Sequence, residues 1–305
     1  MITICANPRA RRFGAVSVKI GERITCMIES NDLSKTYKGK VRALESVSFR
    51  IDKRIVSFIG RNGAGKTTLL RILSTQLRPT SGTATVLGFD VMKEAQEIRK
   101  RIVSIPQEAS TIGVLTPMEH VKMFLVARGF SFKAANDESL RALNEVELGE
   151  AKFRPADTLS GGMKRKVFVA MAFAANADVT FLDEPTTGLD PVSRFEVWSA
   201  LKNLTGDVVL TTHYMEEAQE LSDEVVLVDS GRILEKGEVK GLLRRFRGKV
   251  RVETNREGSG EFKIGRTFVS YVGESEAEKY LKNGFNMRRI TLDDLFLVRG
   301  VELEP

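Results

Sequence analysis

Apolar positions in this chain fall into short unbroken runs separated by longer segments of helical period, an alternation that predicts a parallel sheet covered by helices. IVSFIG at 55–60 reads as a strand buried on both faces, running straight into a glycine-rich turn and a helix, GKTTLLRILSTQL. The same short-strand pattern returns in IVSIPQ at 102–107, VTFLDE at 179–184, DVVLTTH at 207–213 and EVVLVD at 224–229. Ahead of these, TYKGKVRAL and SVSFRI between Ile28 and Ile51 predict antiparallel strands. Residues 116–176 carry an almost continuous helical pattern, so a helical subdomain over about 108–176 is expected as an insertion into the sheet. Beyond about residue 240 the pattern changes again. Basic KGLLRRFRGK leads to KVRVET, the polar turn NREGSG, FKIGRTFVSYV, a helix in ESEAEKYLKNGF and another in TLDDLFLV. The expected fold class is α/β, with an antiparallel β subdomain over part of 27–240 and a small α+β appendage over 241–305. An appendage of that size is near the lower limit for standing alone and is expected to pack on the main body or on a twin.

Composition changes this picture little, with 42% hydrophobic and 29% charged residues being ordinary for a globular protein. The longest apolar stretch, around Val167 to Leu182, is broken by Asn176 and Asp178 and falls short of a bilayer span, so a soluble chain is expected. Cys5 and Cys26 are the only two cysteines, so no disulfide framework or cysteine metal site is expected, and a reducing cytosol fits. The formal charge of +7 resides in the ends: residues 1–26 and 240–305 each carry a net +4, leaving about −1 for the body. With no basic stripe interleaved with aromatics, nucleic acid is not the expected partner. Residues 1–26 are Arg-bearing without the apolar centre of a secretory signal, and are expected to be an extension upstream of a natural start at Met27.

The chemistry begins in the turn after the first buried strand. Gly60, Gly65, Lys66 and Thr67 meet the pattern Gly-x4-Gly-Lys-Thr, within the longer run Gly60, Arg61, Asn62, Gly63, Ala64, Gly65, Lys66, Thr67 and Thr68. Glycines let backbone N–H groups approach phosphates, and the following helix turns its positive end toward them. Lys66 reaches the β and γ phosphates while the Thr67 hydroxyl ligates Mg²⁺, so ATP and Mg²⁺ are the expected cofactors. A second carboxylate is needed near that ion. Asp183, at the end of VTFLDE, supplies it, with Glu184 beside it to polarise an attacking water.

GRNGAGKTT, LSGGM, FLDEPTTGLDP and TTH occur in that order, and through them residues 28 to about 240 resemble the nucleotide-binding domain of ATP-binding cassette proteins, a P-loop NTPase fold. That resemblance implies roles for further residues. Ser160, Gly161 and Gly162 match the family signature LSGGQ, with Met163 in place of glutamine, and would offer helix-start amides to a γ-phosphate. Gln107 stands where the family places a glutamine that meets Mg²⁺ and links the sheet to the helical subdomain. His213 stands where a histidine contacts the γ-phosphate and orients water. Tyr37 matches an aromatic that stacks on adenine, and Asp190 a loop that crosses the dimer interface, while Pro191 after it makes Asp190 also an expected helix N-cap. His120, inside a helical pattern, is expected to be structural.

The same resemblance implies partners. The signature faces outward, so a second cassette, expected to be an identical chain, must complete each ATP site. Without a membrane span of its own, the chain is expected to work with transmembrane permease subunits at the cytoplasmic face of the membrane. LSGGM followed by Lys164, Arg165 and Lys166, and the tail TLDDLFLVRG, are similar to drug- and antibiotic-exporter ATPases, so export is expected over import. The alternative class is a non-transport cassette ATPase acting on ribosomes, chromosomes or a soluble assembly.

Overall fold

The computed structural model describes residues 27–256 and 260–299; Cys5, Cys26 and the proposed N-terminal extension lie outside them. Strands β1 (Ile28–Thr36), β2 (Arg42–Ile51), β3 (Ile55–Ile59), β4 (Ser81–Val86), β5 (Phe89–Asp90), β6 (Ile102–Ile105), β7 (Val179–Asp183), β8 (Asp207–Thr212), β9 (Glu224–Asp229) and β10 (Arg232–Gly237) form two sheets. The antiparallel sheet has the order β2-β1-β4-β5, and the six-stranded sheet the order β10-β9-β3-β8-β7-β6. In the larger sheet β3, β6, β7, β8 and β9 run parallel, and only β10 is antiparallel. Every residue of β3, β6 and β7 is buried, which is why these strands read as unbroken apolar runs rather than alternating ones.

Helices α1 (Lys66–Leu73) and α2 (Ala95–Arg101) follow β3 and β5, while α3 (Pro117–Ala127), α4 (Phe132–Glu145) and α5 (Gly161–Ala175) fill the inserted segment. The helical pattern read over 116–176 is not continuous in space: residues 146–160 leave the helix, with Glu147 at φ 59° and Pro155 ahead of a short 3-10 turn at Ala156–Thr158. Val146, Leu148, Ala151, Ala156 and Leu159 of that stretch are buried in one cluster with residues of the three helices, while Phe153 is exposed, so that mostly buried apolar positions imitate a helix. Sharp starts come from local chemistry. Thr116 and Glu119 form a capping box with Pro117 in the first turn of α3. From Val167 onward α5 is buried on all sides, as expected of a helix at the centre of a helical layer.

Helices α6 (Pro191–Lys202) and α7 (Met215–Leu221) return the chain to the parallel sheet, and α8 (Val239–Leu242) leads out of it. A third sheet follows, of β11 (Lys249–Thr254), β12 (Phe262–Ile264), β13 (Thr267–Gly273) and β14 (Asn286–Arg288), ordered β12-β13-β11-β14, with α9 (Ala277–Lys282) and α10 (Asp293–Val298). The run FKIGRTFVSYV is a hairpin of β12 and β13, turning at Gly265 with φ 56°, rather than a single strand. Val269, Tyr271, Leu292, Leu295 and Phe296 share one hydrophobic cluster with Ile59, Met215, Ala218, Val225 and Leu227, so the C-terminal sheet packs on the α7 side of the larger one. No helix among the described residues is long and apolar enough to cross a membrane.

Candidate functional site

Parallel strands in register end at a common edge, and here that edge collects chemistry from four separate parts of the chain. Ile59 lies opposite Thr212, Asp183 opposite Thr211, and Ile105 opposite Leu182. The residues that follow each strand, from Gly60, Glu184, His213 and Gln107, therefore surround one opening. The loop after β3 curls around a cavity of about 560 Å³ lined by Ala43, Asn62 to Thr68, Gln107, Glu184, Thr187 and His213.

Two glycines are required for the curl. A Cβ on Gly60 would lie 2.0 Å from the Val228 carbonyl oxygen, and Gly65 has φ 102° with its Cβ position 2.4 Å from the Ala43 oxygen. Gly65→Ala is expected to destabilise the chain by about 2–4 kcal/mol, since both the left-handed backbone and the backbone contact oppose it. Urea denaturation checks this, and an unchanged midpoint would contradict it. Lys66, only 4% exposed, curls back so that Nζ donates to the Gly60 and Arg61 carbonyls at 2.7 and 2.9 Å, and stands 3.8 Å from Glu184 Oε1.

Opposite the loop, Thr67 Oγ1 donates to Asp183 Oδ1 at 3.0 Å, and the Thr211 hydroxyl donates to the same oxygen. Burial pushes the Asp183 carboxyl up, while these two hydroxyls pull against it. Glu184 is strained at φ 47°, a conformation held by its backbone N–H, which reaches both the Thr211 carbonyl and hydroxyl at 3.1 Å. The turn aims its side chain into the cavity. There Glu184 Oε2 accepts from Gln107 Nε2 at 3.2 Å and Thr187 Oγ1 at 2.9 Å. His213 Nδ1 approaches the same oxygen to 3.0 Å without the alignment of a hydrogen bond.

Other sequence-derived candidates sit around this centre or away from it. Tyr37 is 39% exposed with its hydroxyl 3.2 Å from Thr68 Oγ1, beside the loop but not lining the cavity. Ser160 caps α5 by accepting from the Met163 N–H at 3.2 Å, and Asp190 caps α6 by accepting from the Ser193 N–H at 3.1 Å. Hydrogen bonds from Ser193 hold the Asp190 carboxyl below its ordinary range. Ser160, Gly161, Gly162 and Asp190 contribute nothing to the lining of the cavity in the same chain. Gly162 is buried where a Cβ would meet Ser193 Oγ at 2.4 Å, which ties the start of α5 to that of α6. His120 is a satisfied interior residue, with Nδ1 2.8 Å from the Thr116 carbonyl and Nε2 accepting from the Ile112 N–H at 2.9 Å.

Sequence reasoning passed over the role of Arg165. Its guanidinium donates to the carbonyls of Pro185 at 2.6 Å, Glu184 at 2.9 Å, Asp183 at 3.3 Å and Gln107 at 3.4 Å. One side chain thus fastens α5 to the turn that presents Glu184 and to the segment bearing Gln107. The signal was present in the basic triplet Lys164, Arg165 and Lys166 at the head of an otherwise apolar helix. Lys166 is likewise buried, paired with Glu196 at 2.7 Å.

The ABC transporter family profile matches residues 44–187. The daunorubicin/doxorubicin resistance ATP-binding protein DrrA of Streptomyces peucetius is 39% identical over 217 residues, which cover 70% of this chain and 66% of that protein. Doxorubicin resistance ATP-binding protein DrrA of Mycobacterium tuberculosis is 39% identical over 220 residues, with the same 70% and 66% coverage. The match therefore spans slightly less than two thirds of these relatives. Among solved structures, the dimeric post-hydrolysis state of the cassette MJ0796 bound to ADP and Pi superposes with a TM-score of 0.62 at 27% identity, covering 70% of this chain and 98% of that one. Phosphate loop, acidic strand end, signature and strand-end histidine thus occur in one matched fold, and residues 44–187 of the chain are an ABC transporter domain, similar to the ATP-binding proteins named above.

Proposed function

We propose that this chain drives export: two cassettes close head to tail over two ATP molecules, and separate membrane permeases convert closing and opening into movement of a cargo. The observation that carries the reading is the Glu184 carboxylate, held by Gln107 and Thr187 at the mouth of the phosphate-loop cavity while Ser160 and Gly161 lie exposed outside it. Such a site has its base and its phosphate cradle but lacks the signature, which a second chain must bring. Relatives named for resistance to daunorubicin and doxorubicin support export, and the dimeric MJ0796 cassette supports pairing. In this reading residues 27–240 are the nucleotide-binding domain, with the helical subdomain at about 108–176, and 241–305 form a C-terminal α+β domain.

The residues give each step a physical cause. Adenine stacks on Tyr37, and the amides from Gly60 to Thr68, with Lys66, hold the β and γ phosphates. The partner chain contributes Ser160, Gly161 and Gly162 at the γ-phosphate, and Asp190 reaches across the interface. Glu184 takes a proton from water as its oxygen bonds to the γ-phosphorus, and the bond to the β-bridging oxygen breaks to leave ADP and inorganic phosphate. His213 and Gln107 orient that water. Thr67, Asp183 and Gln107 would hold Mg²⁺ through oxygen atoms, one of them from a carboxylate and with Thr67 and Asp183 already 3.0 Å apart, a donor set that suits that ion. When bound, that ion neutralises charge on the β and γ phosphates.

The chain would sit peripherally on the cytoplasmic face of the membrane. The helical subdomain offers the contact surface: Ile112, Val114, Met123, Phe132 and Phe153 are all exposed, Val114 at 79%. Coexpression with any multi-span membrane proteins encoded beside it should recover a detergent-stable complex, and Val114→Asp with Phe132→Asp should lose it. Failure to co-purify any of them would favour the soluble-assembly alternative instead.

A further inference from the structure

Behind His213 the structure places a stack that none of the family motifs includes. The His213 and Tyr214 rings lie 4.1 Å apart at 40°, and on the Tyr214 ring sits the Arg194 guanidinium, 4.1 Å from its centroid. Arg194 belongs to α6, one turn below Asp190, whose carbonyl accepts the Arg194 N–H at 3.0 Å. Helix α6, which carries Arg194, and helix α7, which starts just after Tyr214, are locked together by a buried carboxylate. Glu217 of α7 accepts from Trp198 Nε1 of α6 at 2.9 Å and from Thr186 Oγ1 at 2.7 Å. Glu217 is fully buried, and its burial raises the carboxyl while the nearby Arg194 charge opposes that.

We infer that Arg194 is a positioning residue for hydrolysis, clamping Tyr214 so that the His213 imidazole is held against Glu184 from the same helix whose cap, Asp190, meets the partner chain. This rests on the role proposed above for His213. The physical case is that His213 has no aligned hydrogen bond at Nδ1, so its ring orientation depends on what backs it. A guanidinium over a tyrosine face is an attractive, orientation-dependent contact, and it fixes that backing ring. Because Arg194 follows Asp190 by one helical turn, a shift of the α6 cap on docking moves the clamp with it. Docking and water orientation are thereby joined through three side chains.

The test is steady-state ATPase kinetics of the full-length protein carrying Arg194→Ala, Arg194→Lys or Tyr214→Phe, with Arg194→Ala also placed on a His213→Ala background. Arg194→Ala should lower kcat about five- to tenfold with the KM for ATP changed less than twofold. Arg194→Lys and Tyr214→Phe, which keep a cation and a ring, should recover most of the rate. On the His213→Ala background, Arg194→Ala should add no further loss. A loss of the same size on that background, or wild-type turnover for Arg194→Ala while His213→Ala is slow, would overturn the clamp alone. Wild-type turnover for His213→Ala would overturn the role of His213 and the clamp with it. Melting temperatures identify a variant that has merely lost its fold, in which case the lysine and phenylalanine variants carry the decision.

Discussion

Glu184→Gln should bind ATP as the wild type does, hydrolyse it about 10²- to 10⁴-fold more slowly, and accumulate as an ATP-bound dimer. Glutamine keeps the size of the side chain, so the contacts from Gln107 and Thr187 to Oε2 have a near-isosteric acceptor to meet. What it removes is the ability to take a proton. The strained turn at φ 47° is anchored through the backbone to Thr211 and is left intact, so the substitution separates chemistry from folding. With hydrolysis blocked, nothing parts the two chains, and light scattering with ATP should report twice the monomer mass. Unchanged ATPase activity would remove Glu184 from the role of base. Slow hydrolysis without a dimer would instead count against the composite site.

Lys66→Ala should lower ATP affinity by about 10²- to 10³-fold, equivalent to roughly 3–4 kcal/mol for a charge-assisted phosphate contact. Lys66 is almost fully buried, and its partners include carbonyls of the loop it belongs to and, at 3.8 Å, Glu184. Those partners hold the ammonium in place at the floor of the cradle. Removing it leaves the Gly60 and Arg61 carbonyls without that donor and Glu184 without the ammonium 3.8 Å from its carboxylate. A stability loss of about 1–3 kcal/mol should therefore accompany the loss of binding. Titration calorimetry with ATP, alongside urea denaturation, resolves the two effects. Full affinity in a folded variant would undermine the phosphate-loop reading itself.

Much of the centre could be read without coordinates because its parts are local. The turn between β3 and α1 is a strand, a glycine-rich loop and a helix start within a dozen residues, and each requirement of that geometry leaves a residue type in the sequence. Other elements were less legible. β4 (Ser81–Val86) reads SGTATV, with too few large apolar residues to announce itself, and β14 (Asn286–Arg288) is three exposed residues whose only reason to be extended is pairing with β11. Residues 146–160 imitated a helix because most of their apolar side chains, Phe153 being an exception, are buried against helices without being part of one. Arg165 was visible as a charge in an apolar helix, but nothing in the chain order says that its guanidinium meets carbonyls of residues 107 and 183–185.

By itself, then, the sequence determined the alternation of buried strands and helices, the phosphate loop, the acidic strand end at Asp183 and Glu184, and the caps at Ser160 and Asp190. All of these depend on neighbours within a few positions, where backbone sterics, capping and burial leave periodic or positional traces. Only the tertiary structure decided which of these pieces meet. In-register parallel pairing of β3, β8, β7 and β6 brings Lys66, His213, Glu184 and Gln107 to one edge, Arg165 pins that edge to α5, and Arg194 backs His213 through Tyr214. Those contacts join residues scores of positions apart, and long-range pairing is set by the register and packing of whole elements, which no short stretch of sequence records.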